Sequence, residues 1–139
     1  MKIDIITICD FAKIENGRLS IVDSRDSLQI PKFPWRVYIG IAVKGTLMHK
    51  MPKDSFYILS IFKKDDIKTA DEGCLPDNKI VFKTQSPAIE DEGKFAIAGN
   101  IRGLIFNEPG EYIFRIQSSD GVKWDYNFNV TLSKAEENG

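Results

Sequence analysis

Histidine is nearly missing from this chain: among 139 residues, His49 is the one imidazole. Nucleophilic catalysis near neutral pH most often uses a histidine base within reach of a serine or cysteine. His49 lies between Met48 and Met51, with no serine or cysteine elbow nearby. It reads as an ordinary loop residue. Cysteine is also scarce. Cys9 and Cys74 are far apart and neither belongs to a C-x-x-C pair, so zinc and dithiol chemistry are not indicated. Two reduced thiols are expected of a cytoplasmic domain of this length.

An excess of one charge is missing too. Nineteen basic side chains oppose 20 acidic ones, a net charge of -1. A phosphate-binding surface usually brings a basic surplus, so no nucleic-acid partner is expected. No run approaches the roughly 20 apolar residues of a membrane span, and no membrane association is expected. Residues 1–11 are apolar but include Asp4 and Asp10, and they lack a basic leader and a small-residue cleavage site. They read as a strand, and the expected location is the cytoplasm. Phosphate-cradling glycines are absent: Gly99 and Gly103 have no following helix and no Lys-Ser/Thr.

Carboxylates are plentiful but dispersed. Asp65-Asp66, Asp71-Glu72 and Glu90-Asp91-Glu92 lie in loops with lysine within or beside them and read as solvated charge. The last cluster lacks the alternate-position oxygen spacing of a calcium loop. Asp10, Asp23, Arg25 and Asp26 fall near the ends of two early strands and read as a local salt-bridge set at one rim. No catalytic residue, metal ligand or cofactor is therefore expected, and the chain is not expected to be an enzyme.

What is present is a core. Hydrophobic residues make up 42% of the chain, enough to offset chain entropy without a disulfide or metal. Residues 1–133 are expected to form one domain, with a flexible polar tail at 134–139. Period two dominates. Trp35, Val37, Ile39, Ile41 and Val43 alternate with Arg36, Tyr38, Gly40, Ala42 and Lys44. Trp124, Tyr126, Phe128, Val130 and Leu132 alternate with polar residues in the same way. Each segment predicts an antiparallel strand with one buried and one wet face. Further strands are expected at Ile3 to Cys9, Leu19 to Val22, Phe56 to Phe62, Ile80 to Phe82 and Lys94 to Phe106. A phase shift between Ile5 and Ile6 suggests a bulge. Asn16-Gly17 predicts a hairpin turn. Helix is expected nowhere, except as a short element between Lys63 and Lys79 or between Ser86 and Gly93.

The most specific local signal is Glu108-Pro109-Gly110-Glu111-Tyr112-Ile113-Phe114. Immunoglobulin-type sandwiches carry a tyrosine at the start of their sixth strand whose hydroxyl bonds to upstream backbone. Tyr112 fits that tyrosine corner, with Glu108 upstream and Gly110 in the turn. Trp35 fits the core tryptophan of the third strand. Gly-x-Tyr-x-Phe also opens strands in general, and other β-barrels are the competing architecture. The expected fold is all-β, an immunoglobulin-like antiparallel two-sheet sandwich.

Cys9-Asp10-Phe11-Ala12, Gly17-Arg18-Leu19-Ser20-Ile21-Val22, the Pro-Lys-Phe-Pro segment at 31–34 and the Gly-Glu-Tyr-x-Phe-Arg stretch together resemble a family of small bacterial proteins of uncharacterised function. The resemblance implies a β-sandwich. It brings no activity, cofactor or catalytic residue with it.

Function is not legible in these residues. The favoured expectation is a non-enzymatic protein-interaction or structural module, forming a homo-oligomer or docking on a protein partner. The alternative is a domain that binds a carbohydrate or small molecule through its end loops. Leu47, Met48, His49 and Met51 are the expected interaction surface, since flexible apolar side chains crowd that loop. The same side chains would also serve to cap the sandwich.

Overall fold

The computed structural model describes residues 2–16, 18–46, 56–72, 80–85, 94–118 and 121–133. Leu47, Met48, His49, Met51, Cys74, residues 90–92 and the expected tail lie outside the described residues. Among the described residues, nine strands form two sheets. The first sheet has the order β2-β1-β4-β7, built from Arg18–Arg25, Lys2–Glu15, Trp35–Thr46 and Lys94–Phe106. The second has the order β3-β9-β8-β5-β6, built from Ser27–Ile30, Lys123–Leu132, Gly110–Ser118, Phe56–Lys63 and Ile80–Gln85.

One core joins the sheets. Ile8, Ile39, Ile41, Val43, Ile101 and Leu104 meet Tyr57, Leu59, Ile61, Phe114, Ile116 and Phe128 in a single buried cluster. The cluster includes an aromatic set: Phe106 meets Tyr112 edge-on at 5.0 Å, and Tyr112 stacks on Phe128 at 5.9 Å. Each buried side chain of this size contributes roughly 1.5–3 kcal/mol, so the cluster suffices to hold the sheets without a covalent staple. Among the described residues, Cys9 is a free buried thiol.

Several expectations are corrected. The pairing is not wholly antiparallel, because β3 runs parallel to β9, Ser27 opposite Asn129 through Ile30 opposite Leu132. Trp35 is not a core tryptophan: it sits at the first position of β4 and is 38% exposed. Leu132, at the end of β9, is exposed as well. Gly40 and Ala42, read as wet-face residues, are buried. The expected bulge in β1 lies between Ile3 and Ile5, just before the phase shift. The stretch read as a loop from Lys63 to Lys79 holds one short helix, α1, Ile67–Asp71, following a single 3-10 turn at Lys64–Asp66.

The burial of Gly40 and Ala42 follows from the path of β1. This strand pairs with β4 only as far as Cys9 opposite Gly40, then continues with β2 alone to Glu15 opposite Arg18. Asp23, with φ of 52°, lies level with Asp10 where the β1–β2 ribbon leaves β4. The ribbon folds onto the outer face of its own sheet. There Cys9, Ala12 and Ala42 form a second buried cluster with Leu19, Ile21 and Ala98. A Cβ on Gly40 would stand 2.9 Å from the Ala12 nitrogen, so only glycine admits this approach.

Candidate interaction surface

Three places bring polar groups together, and they differ in what they leave available. The first is the tyrosine corner. The Tyr112 hydroxyl donates to the Glu108 carbonyl at 2.8 Å. Gly110 has φ of 146° and lies under Lys63, whose ammonium pairs with the Glu108 carboxylate at 2.8 Å. Burial pushes the Tyr112 hydroxyl pKa up. The hydrogen bond from Lys63 to Glu108 raises the lysine pKa. A cleft of about 50 Å³ opens beside the corner, lined by Lys63, Asp66, Asn107, Glu108 and Tyr112 among others. Small-molecule pockets run from roughly 300 Å³ upward, so this one holds little more than water.

The second place is the outer face of the β8 sheet. Arg115 is buried there, its side chain 5% exposed. Its guanidinium makes a fork to Asp125 at 2.7 and 2.9 Å and reaches Asp71 at 2.8 Å. Lys123 also holds Asp71, at 3.1 Å. These two cations keep the Asp71 carboxyl below the usual carboxylate range, Lys123 more than Arg115. Beneath the network, Phe62, Ala70 and Ile113 pack together, with Arg115 over the Phe62 ring. The arrangement fastens α1 to the sheet. It is satisfied internally and leaves no group aimed at a ligand.

The expected rim set of Asp10, Asp23, Arg25 and Asp26 is likewise structural. Arg25 forks onto Asp10 at 2.5 and 3.0 Å and holds that carboxyl below its usual range. The Tyr126 hydroxyl donates to the Arg25 carbonyl at 2.8 Å, and the Asn129 amide donates to the Asp26 carbonyl at 3.1 Å. These bonds tie the end of β2 and the residue after it to the opposite sheet. Among the described residues, no three His, Cys, Asp or Glu side chains are placed to share a metal ion.

The third place is exposed. The ribbon covers only part of the outer face of the β4–β7 pair. Beyond Gly40 opposite Asn100, the same face presents Tyr38 opposite Arg102 and Arg36 opposite Ile105. Gly103 is the extra residue of a bulge between these two pairs, with φ of 85°. The bulge keeps Arg102 and Ile105 on one face, although they are three residues apart. All four side chains are exposed, Tyr38 by 66%. Among the described residues, neither Arg36 nor Arg102 makes an ion pair. Trp35 lies next to this group in sequence, with the Lys32 ammonium 5.6 Å from its ring center.

Sequence reasoning did not single out these four residues. The alternation of β4 puts Arg36 and Tyr38 on the wet face, where a tyrosine draws no attention. Their joining with Arg102 and Ile105 depends on strand pairing and on the bulge. Leu47, Met48, His49 and Met51, the expected surface, lie outside the described residues.

A comparison with curated proteins finds no match. Residues 4–131 match the model of a family of unknown function, DUF6941. That match spans nearly the whole of the two-sheet fold, from β1 to β9. The chain belongs to this family of unknown function, DUF6941.

Proposed function

We propose that this is an immunoglobulin-like sandwich working as a non-enzymatic protein-interaction module. The Tyr112 hydroxyl bond to the Glu108 carbonyl supports the sandwich type, because the tyrosine corner recurs in that fold. The parallel β3–β9 pair sets it apart from a strictly antiparallel version. A cytoplasmic location agrees with the reduced Cys9, and no described helix is long and apolar enough to cross a membrane.

The observation that carries the interaction reading is the exposed Arg36, Tyr38, Arg102 and Ile105 cluster. Tyrosine and arginine dominate binding energy at protein interfaces, since each offers a large contact area and a polar end. Elsewhere the polar side chains of Arg115, Asp10 and Lys63 are already engaged by neighbours within the domain. The carbohydrate alternative would use an exposed tryptophan as a stacking platform. Trp35 is exposed, but Lys32 already lies over its ring. That contact favours the protein-interaction reading.

The test is photo-crosslinking in the native host. A photoreactive phenylalanine analogue at Tyr38 is expected to capture a discrete protein, and excess wild-type domain to compete the adduct away. The same analogue at Thr131, exposed on the other sheet, is expected to give no such adduct. Equal capture from both positions, or none from Tyr38, would remove this face as the working surface.

A further inference from the structure

We infer that the exposed β4–β7 face docks an acidic peptide segment of a partner protein; this rests on the interaction reading above and names the chemistry of what binds. The argument begins with the charges of the two strands. The chain carries 20 aspartates and glutamates, yet neither β4 nor β7 contains one. Their charged residues are Arg36, Lys44, Lys94 and Arg102. A domain of net charge -1 has thus segregated a wholly cationic pair of strands at one side of a sheet.

Arg36 and Arg102 are the cations of the uncovered part, and they flank an apolar and aromatic pair. Tyr38 is directly opposite Arg102, and Ile105 is directly opposite Arg36. Each guanidinium offers a planar fork that matches a carboxylate in a bidentate way. The Tyr38 ring and the Ile105 side chain between them ask for an apolar side chain from the ligand. An extended segment with carboxylates on either side of an apolar residue satisfies all four groups. Such a segment lies over the outer face of the pair, where side chains of both strands reach it.

Nucleic acid fits less well. Two arginines neutralise few phosphates, and a long polyanion would meet the carboxylates on the rest of the surface. Ile105 offers a base neither stacking nor a hydrogen bond. A short acidic segment touches the cationic strands alone.

The experiment uses the full chain and two fluorescein-labelled peptides. One is glutamate-rich with a central leucine, and the other has every glutamate replaced by glutamine. Anisotropy is read at neutral pH across a salt series. The acidic peptide is expected to bind at least about tenfold more tightly than its glutamine counterpart, a gap of about 1.4 kcal/mol. Its affinity is expected to fall as salt rises. The Arg36→Ala/Arg102→Ala double variant is expected to lose at least that factor while keeping its far-UV circular dichroism and melting temperature. Lysine at both positions restores part of the binding, because charge returns without the fork. Equal binding of the two peptides overturns acid recognition but leaves the interaction reading standing. No binding of either also overturns it, and crosslinking at Tyr38 then judges the broader reading alone. Tighter binding of a single-stranded RNA oligonucleotide or an anionic vesicle, lost in the same double variant, means the arginines read phosphate and overturns the peptide proposal.

Discussion

The side-chain amide of Asn100 closes on both backbone groups of Ala12. Its Nδ2 donates to the Ala12 carbonyl at 2.8 Å, and the Ala12 amide donates to its Oδ1 at 3.1 Å. Asn100 lies on β7 and Ala12 on β1, two strands separated in the sheet by β4. A side chain therefore stands in where β1 has parted from its neighbour strand. Ala12 is 1% exposed, whereas Asn100 is exposed, so the amide covers these two backbone groups from the solvent side. Asn100→Ala is expected to lower stability by about 1–3 kcal/mol, the loss of two hydrogen bonds to the backbone of Ala12. Asn100→Asp keeps an acceptor but loses the Nδ2 donor, and should also destabilise. Urea denaturation checks both. A midpoint unchanged in Asn100→Ala would mean the ribbon is not held by this amide.

Glycine at position 40 is the geometric counterpart. A Cβ there would stand 2.9 Å from the Ala12 nitrogen, 2.9 Å from the Cys9 sulfur and 3.0 Å from the Phe11 carbonyl carbon. Two of these atoms are backbone and cannot swing aside. Gly40→Ala is expected to destabilise by about 1–3 kcal/mol through overpacking. Gly99 on β7 is the control. A Cβ there finds Ile41 at 3.4 and 3.5 Å, ordinary contact, and alanine adds β propensity. Gly99→Ala should be near neutral. Equal losses at the two positions, read from thermal melts, would contradict the close approach of β1.

Much of the fold is legible in the sequence because period two is local. The alternation of β4 and β9, the hairpin that sets Glu15 opposite Arg18 and the Glu108 to Phe114 corner each lie within a dozen residues. β3 is hidden because four residues with only Leu28 and Ile30 apolar make a weak pattern, and its parallel partner is a hundred residues away. The ribbon over the first sheet is hidden for a similar reason. Its one trace is size: Gly40, Ala42 and Ala98 are too small for a solvated strand face. Trp35 misled because alternation gives the direction of a side chain and not whether anything covers the end of the strand. The exposed four-residue cluster was illegible because pairing brings β4 to β7 across more than 60 residues of chain.

The tyrosine corner predicts a selective loss. Tyr112→Phe removes one hydroxyl and leaves the Glu108 carbonyl without its 2.8 Å donor. The ring contacts to Phe106 and Phe128 remain. The expected cost is about 1 kcal/mol with the fold intact, near the mean for one hydrogen bond. A chemical denaturation midpoint equal to wild type would deny the hydroxyl bond any part in stability.

Asp71 predicts how stability responds to acid. Its carboxyl pKa is lowered in the folded state by the Lys123 hydrogen bond first and the Arg115 hydrogen bond second. A depressed folded pKa means that the unfolded chain takes up the proton more readily. The stabilisation is therefore complete above the unfolded carboxylate pKa of about 3.9 and is lost as pH falls through the lower folded value. Asp71→Asn removes the titrating group while keeping the size of the side chain. The stability gap between wild type and Asp71→Asn should be widest near neutral pH and should narrow steadily below about pH 4. Because Asp71 belongs to α1 and its partners belong to β8 and β9, the change should be local at first. Amide exchange should rise in residues 67–72 before it rises in β8, whose Arg115 keeps its fork to Asp125. A gap that stays constant from neutral pH to pH 3 would show that the Asp71 pairs do not fasten the helix. Exchange that rises in β8 and α1 together would show that the two open as one unit.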